Sequence, residues 1–119
     1  MAIQDLIERL RAHPESERIG MIASHLGVVR GTSLDGSLVQ GIDVMYDHDG
    51  LESIINDTRE LDGIVDLLVE IYEGHLEVGQ EILEVAVAGE TREVVFPALI
   101  NTVNRIKTEA VKKKEHKKD

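Results

Sequence analysis

Cysteine and tryptophan are missing from this chain, phenylalanine occurs once, and tyrosine and proline occur twice each. Without cysteine there can be no disulfide, no thiolate metal site and no cysteine nucleophile. With so few aromatic residues the core has to be aliphatic, and stacking of nucleic-acid bases on aromatic platforms is excluded as a main theme. Lysine is absent before Lys107. The first 104 residues hold six arginines against 20 acidic residues, a net charge of −14, whereas residues 105–119 hold seven basic residues and three acidic ones. An acidic body argues against nucleic acid or an anionic membrane as partner, because phosphate binding needs clustered cations. No apolar run approaches the ~20 residues that a membrane span requires. Met1–His13 lacks the basic leader and unbroken apolar stretch of a signal peptide. With no cysteine to protect or oxidise, the expected location is the cytoplasm.

What is present is a soluble aliphatic mix in 119 residues, enough for one modest core. The expected organisation is a single domain over residues 1–111 followed by a basic tail over 112–119. Ile3, Leu6, Ile7 and Leu10 recur at helical spacing and predict a helix over Ala2–His13, ended by Pro14. Arg18–Arg30 reads as a strand interrupted by Gly20 and Gly27, and residues 31–37 as a polar glycine-bearing loop. Leu38–Tyr46 predicts a second strand, and Asp49–Leu61 a helix capped by Asp47 or Asp49. Ile64–Tyr72 and Glu81–Ala88 read as strands joined by a turn over 74–80. Thr91–Val111 predicts the last helix, and Lys112–Asp119, with no apolar residue, is expected to fray. The order α-β-β-α-β-β-α predicts an α+β fold with helices on one face of a mainly antiparallel sheet.

Few constellations carry chemistry. The five histidines, His13, His25, His48, His75 and His116, form no metal-binding pair at sequence level. Tyr46-Asp47-His48-Asp49 is better explained as a helix-capping turn than as a metal centre, which needs three or four convergent ligands. Cations at element ends are more suggestive. Arg30 closes the first strand at the mouth of the loop, and Arg92 begins the last helix, where free backbone N–H groups favour anions. Lys107 lies four helical turns further on. Arginine suits phosphate because its planar fork makes two parallel bonds.

The pieces Gly27-Val28-Val29-Arg30, Gly74-x-Leu76-x-x-Gly79-Gln80-Glu81, Val85-Ala86-Val87-Ala88, Thr91-Arg92 followed by Phe96, Lys107-Thr108 and Lys112-Lys113-Lys114-Glu115 occur in an order that resembles the large, catalytic subunit of molybdopterin synthase. The resemblance runs over about residues 18–116. It implies an α/β hammerhead fold and a homodimer whose subunits each bind a small ubiquitin-like sulfur carrier, a heterotetramer in all. The carrier's Gly-Gly terminus, as a thiocarboxylate, would enter a pocket of the large subunit. Sulfur would then pass to cyclic pyranopterin monophosphate to give molybdopterin, with no metal or organic cofactor in that step.

Residue by residue, the resemblance implies that Arg30 and Arg92 hold the substrate phosphate, with Thr91 beside them. Lys107 and Lys114 would be two active-site lysines, with Lys113 a rival for the second position because the motif can be slid by one. Thr91 stands where the family has histidine, Met45-Tyr46 where it has a His-Tyr pair, and a lysine where an aromatic precedes the second active-site lysine. Two alternatives stay open on these grounds. One is a catalytically degenerate member that keeps a binding or dimerisation role. The other is an unrelated α+β binding module whose cations are plain surface charge.

Overall fold

The computed structural model describes residues 2–118. Met1 and Asp119, the outer ends of the expected domain and tail, lie outside the described residues. The helical stripe at the start forms α1, Ile3–Arg11, and buries Leu6 and Leu10. The strands that follow are β1, Met21–Val28, and β2, Val39–Tyr46. Helix α2 spans His48–Arg59. Asp47 is its cap, accepting a hydrogen bond from the Asp49 backbone N–H at 3.1 Å, which satisfies one of the free donors of the first turn. The remaining elements are β3, Ile64–Ile71; β4, Gly74–Glu77; β5, Glu81–Gly89; α3, Arg92–Arg105; a π-helical turn over Ile106–Ala110; and β6, Val111–Lys117.

The strands make two antiparallel three-stranded sheets, ordered β1-β5-β3 and β4-β2-β6. Alternation along β5 decides what each face of the first sheet covers. Val85 and Val87 turn toward Ile54 of α2 and Val95 and Val103 of α3 in the main core. Ala86 and Ala88 turn the other way, onto Leu6 and Leu10 of α1. The α+β class stands, but helices cover both faces of this sheet rather than one, because β5 is apolar on both sides. The second sheet closes a smaller core of Val29, Val39, Ile42, Val44 and Leu76. Close approach of β5 to α3 depends on Gly89, where an added Cβ would meet a Val95 methyl at 2.6 Å.

Two segments differ from the sequence expectation. The turn expected over 74–80 contains β4, held by a single buried leucine, Leu76. The basic tail expected to fray is β6, paired with β2 from Val39↔Lys117 to Tyr46↔Val111. No apolar alternation marks it because it is an edge strand, held by backbone bonds to β2. Lysine is suited to such an edge because it discourages further pairing. The last helix also stops short of Val111: its final turn widens after Arg105, which is tied to Glu109 at 2.8 Å and to Asp57 at 2.9 Å. Among the described residues no helix is long and apolar enough to cross a membrane.

Candidate functional site

Where the two sheets meet, β1, β2, β5, β6 and the loop after β1 enclose a cavity of about 760 Å³. Its apolar floor includes Val29, Ile42 and Leu83. Four cations reach it: Arg30 from the end of β1, Lys107 from the π turn, and Lys113 and Lys117 from β6. Only Asp35 and Glu115 oppose them among the lining residues. In a chain of net charge −10, this is a local reversal of sign that favours an anionic ligand.

Each cation is delivered by local structure. Val29 is buried and its N–H donates to the Gln80 carbonyl at 2.9 Å, so Arg30 emerges at a fixed point. Its loop is folded back on itself. The Ser33 N–H donates to the Ser37 carbonyl at 2.9 Å, and the Ser33 hydroxyl donates to Asp35. Lys117 reaches across from β6 to Asp35 at 3.2 Å. The Ser33 hydroxyl, then Ser37 and Lys117, hold the Asp35 carboxyl well below the usual carboxylate range. Lys107 sits in a π turn, a distortion that recurs at functional sites, between the buried anchors Ile106 and Ala110.

Beside these cations lies His25, whose Nε2 is buried with no hydrogen-bond partner among the described residues. Burial, and then the neighbouring Lys107 ammonium, push its pKa down from 6.5. His25 is therefore neutral at neutral pH, and its residue lines the cavity.

Of the residues expected from sequence, Arg30 and Lys107 come together here. Strand alternation separates Lys113 from Lys114: Lys113 lines the cavity, and Lys114, one residue on, takes the opposite side of the sheet. Thr91 and Arg92 do not join them within one chain. Leu83 lines the cavity, whereas Arg92 follows the other end of β5, about 20 Å further along at the rise of an extended strand. The Arg92 side chain is 78% exposed and pairs with its neighbour Glu93 at 3.4 Å. Thr91 is the α3 N-cap by backbone position, with no side-chain capping bond. His25, Asp35, Glu115 and Lys117 also line the cavity, although no motif or spacing marks them as site residues. Reading 113, 115 and 117 as one face of a strand would have found the last two.

The weighed Tyr46-Asp47-His48-Asp49 cluster holds no convergent ligand set. Asp47 caps α2, and the His48 ring lies 4.1 Å from that of Tyr46, centre to centre.

Comparison with known proteins bears on the whole assembly of elements. The family model described as MoaE protein matches residues 1–109. No curated protein sequence matches the chain. Among solved structures, the chain is similar to a molybdopterin biosynthesis MoaE protein from Burkholderia ambifaria MC40-6, with a TM-score of 0.78 at 26% identity, covering 98% of this chain and 82% of that one. A molybdopterin synthase from Staphylococcus aureus gives a TM-score of 0.78 at 21% identity, covering 94% of this chain and 85% of that one. A complex of subunits 1 and 2 of the molybdopterin-converting factor from Helicobacter pylori 26695 gives 0.73 at 18% identity, covering 97% and 78%. The latter two likenesses are of fold.

Proposed function

The chain belongs to the MoaE protein family, and from that premise we propose that it is the sulfur-transferring subunit of a molybdopterin synthase. A role in molybdenum cofactor biosynthesis follows from the family. The finer reading rests on one observation: Arg30, Lys107 and Lys113, distant in sequence, reach one cavity in an otherwise acidic chain.

In this reading Arg30 grips the phosphate of cyclic pyranopterin monophosphate through its planar fork. The small carrier's terminal thiocarboxylate enters beside it, drawn by Lys107 and Lys113. The thiocarboxylate sulfur bonds to a side-chain carbon of the pterin as that carbon's bond to oxygen breaks; water then attacks the acyl carbon, the acyl–sulfur bond breaks, and the carrier leaves as a carboxylate while the sulfur stays on the pterin. Lys107 stabilises the oxyanion that builds up on the acyl oxygen. Neutral His25 is placed to accept a hydrogen bond from substrate or a proton from the attacking water.

Arg92 and Thr91 enter through a second copy of the chain. A homodimer would bring the α3 N-terminus of one subunit to the cavity of the other. That arrangement accounts for an arginine that is exposed and far from the cavity within its own chain.

The test is reconstitution. The purified chain, mixed with thiocarboxylated carrier and cyclic pyranopterin monophosphate, is expected to form molybdopterin, and Lys107→Ala is expected to lose that activity. A folded dimer that binds carrier but makes no product would leave a binding role in place of catalysis. A chain that binds neither carrier nor pterin would overturn the proposal.

A further inference from the structure

The outer face of the β4-β2-β6 sheet, turned away from the cavity, carries a cluster that no sequence spacing reveals. Asp43 of β2, His75 of β4 and His116 of β6 each present one ligand atom, and these atoms all lie within 4.8 Å of one another. The Asp43 Oδ1 meets His75 Nδ1 at 3.0 Å, and Asp43 Oδ2 meets His116 Nε2 at 2.6 Å. The three residues come from three hydrogen-bonded strands, with Asp43 directly across from His75, so the backbone fixes their spacing.

Gly41 makes room for the cluster. A Cβ added there would meet the His75 ring at 3.0 Å, and His116 is the cross-strand partner of the same glycine. The two imidazoles therefore converge over a position with no side chain.

We propose that Asp43, His75 and His116 form a binding site for a divalent first-row transition ion, zinc being the natural probe. Two imidazole nitrogens and one carboxylate are a recurring ligand set for such ions. Ligand atoms around a tetrahedral zinc stand about 3.3 Å apart at bond lengths of about 2.0–2.1 Å. The cluster needs only small side-chain rotations to reach that spacing. Three protein ligands leave a position for water.

Binding would tie β4, β2 and β6 together on the outside of the sheet. β6 is the strand whose inner side carries Lys113 and Lys117 into the cavity. The ion would thus hold an edge strand that is otherwise kept mainly by its ladder with β2.

The experiment uses the full chain without an affinity tag, stripped by chelator and titrated with zinc near neutral pH in a calorimeter. One ion per chain is expected, with thermal stability raised by zinc. His75→Ala and His116→Ala should each weaken binding by at least about tenfold, with circular dichroism confirming that the variants fold. In the unaltered chain, NMR should show the ring signals of His75 and His116 shifting on zinc addition while those of His13 and His48 stay in place. Absence of zinc binding, undiminished binding in both variants, or ring shifts confined to His13 and His48 would each overturn the site.

Discussion

Lys113 and Lys114 are neighbours in β6 that look to opposite sides of one sheet. Lys113 stands across from Val44 and lines the cavity; Lys114 stands across from Asp43, beside the histidine cluster. Their chemical identity and different placement make a sharp comparison. Lys113→Ala removes a cation that draws the thiocarboxylate into the cavity and is expected to slow molybdopterin formation by about 10- to 100-fold, the scale of one lost charge-assisted hydrogen bond. Lys114→Ala is expected to leave the rate near that of the unaltered chain. Initial rates in the reconstituted system decide between them, and equal losses would remove Lys113 from its role.

The separation of Arg92 from Lys107 leads to a complementation test. If Arg92 serves the partner's cavity, Arg92→Ala and Lys107→Ala are each inactive, but a mixed dimer of the two holds one intact site. Subunits mixed equally and allowed to exchange should recover about a quarter of the full activity, because half the dimers are mixed and one of their two sites is whole. No recovery, with exchange verified by mass spectrometry, would show that the two residues do not act across subunits.

Much of the fold was legible because burial imposes periodicity. Leu6 and Leu10 of α1, and Leu51 and Ile54 of α2, repeat at helical spacing and are buried. Val85 and Val87 of β5 alternate with Ala86 and Ala88, and only the structure shows that both sets are covered. β6 escaped because Lys112–Lys118 contain no apolar residue; its position is set by pairing with β2, which leaves no hydrophobic trace. The π turn that presents Lys107 changes the winding by one residue, below what a pattern of apolar positions can resolve. Arg30 and Lys107 were accessible through charge scarcity in an acidic chain. The metal-type cluster was not, since His75 and His116 lie 32 and 73 residues from Asp43 and only sheet register unites them.

The α2–α3 contact contains a polar element whose value can be measured. Thr58 donates to the Ile54 carbonyl at 3.0 Å, and its hydroxyl lies 3.0 Å from that of Thr102, with both residues buried. Since the Thr58 proton goes to Ile54, Thr102 is the donor between the two hydroxyls. Thr102→Val removes that single bond and is expected to cost about 1 kcal/mol. Thr58→Val also leaves the Thr102 hydroxyl buried without a partner, and is expected to cost about 1–3 kcal/mol. Urea denaturation that reversed this order would contradict the assigned donor directions.

Glu84 gives the fold a pH dependence of unusual sign for a carboxylate. It is fully buried on the α1 side of β5. Its Oε1 accepts from the Tyr72 hydroxyl at 2.6 Å, while Oε2 has no partner among the described residues. Burial pushes its pKa above the ordinary 4.5; the Tyr72 hydrogen bond works against that, and nearby Glu81 adds to it. The folded state therefore holds its proton more tightly than the unfolded chain does. Between the ordinary value and the raised one the unfolded state binds fewer protons, so stability falls as pH rises through that window. Glu84→Gln keeps an oxygen for Tyr72 and carries no charge to desolvate. The urea midpoint of the variant, relative to the unaltered chain, is expected to improve from about pH 5 to about pH 8. A difference between the two proteins that stayed constant over that range would mean that Glu84 does not titrate with a raised pKa in the folded protein.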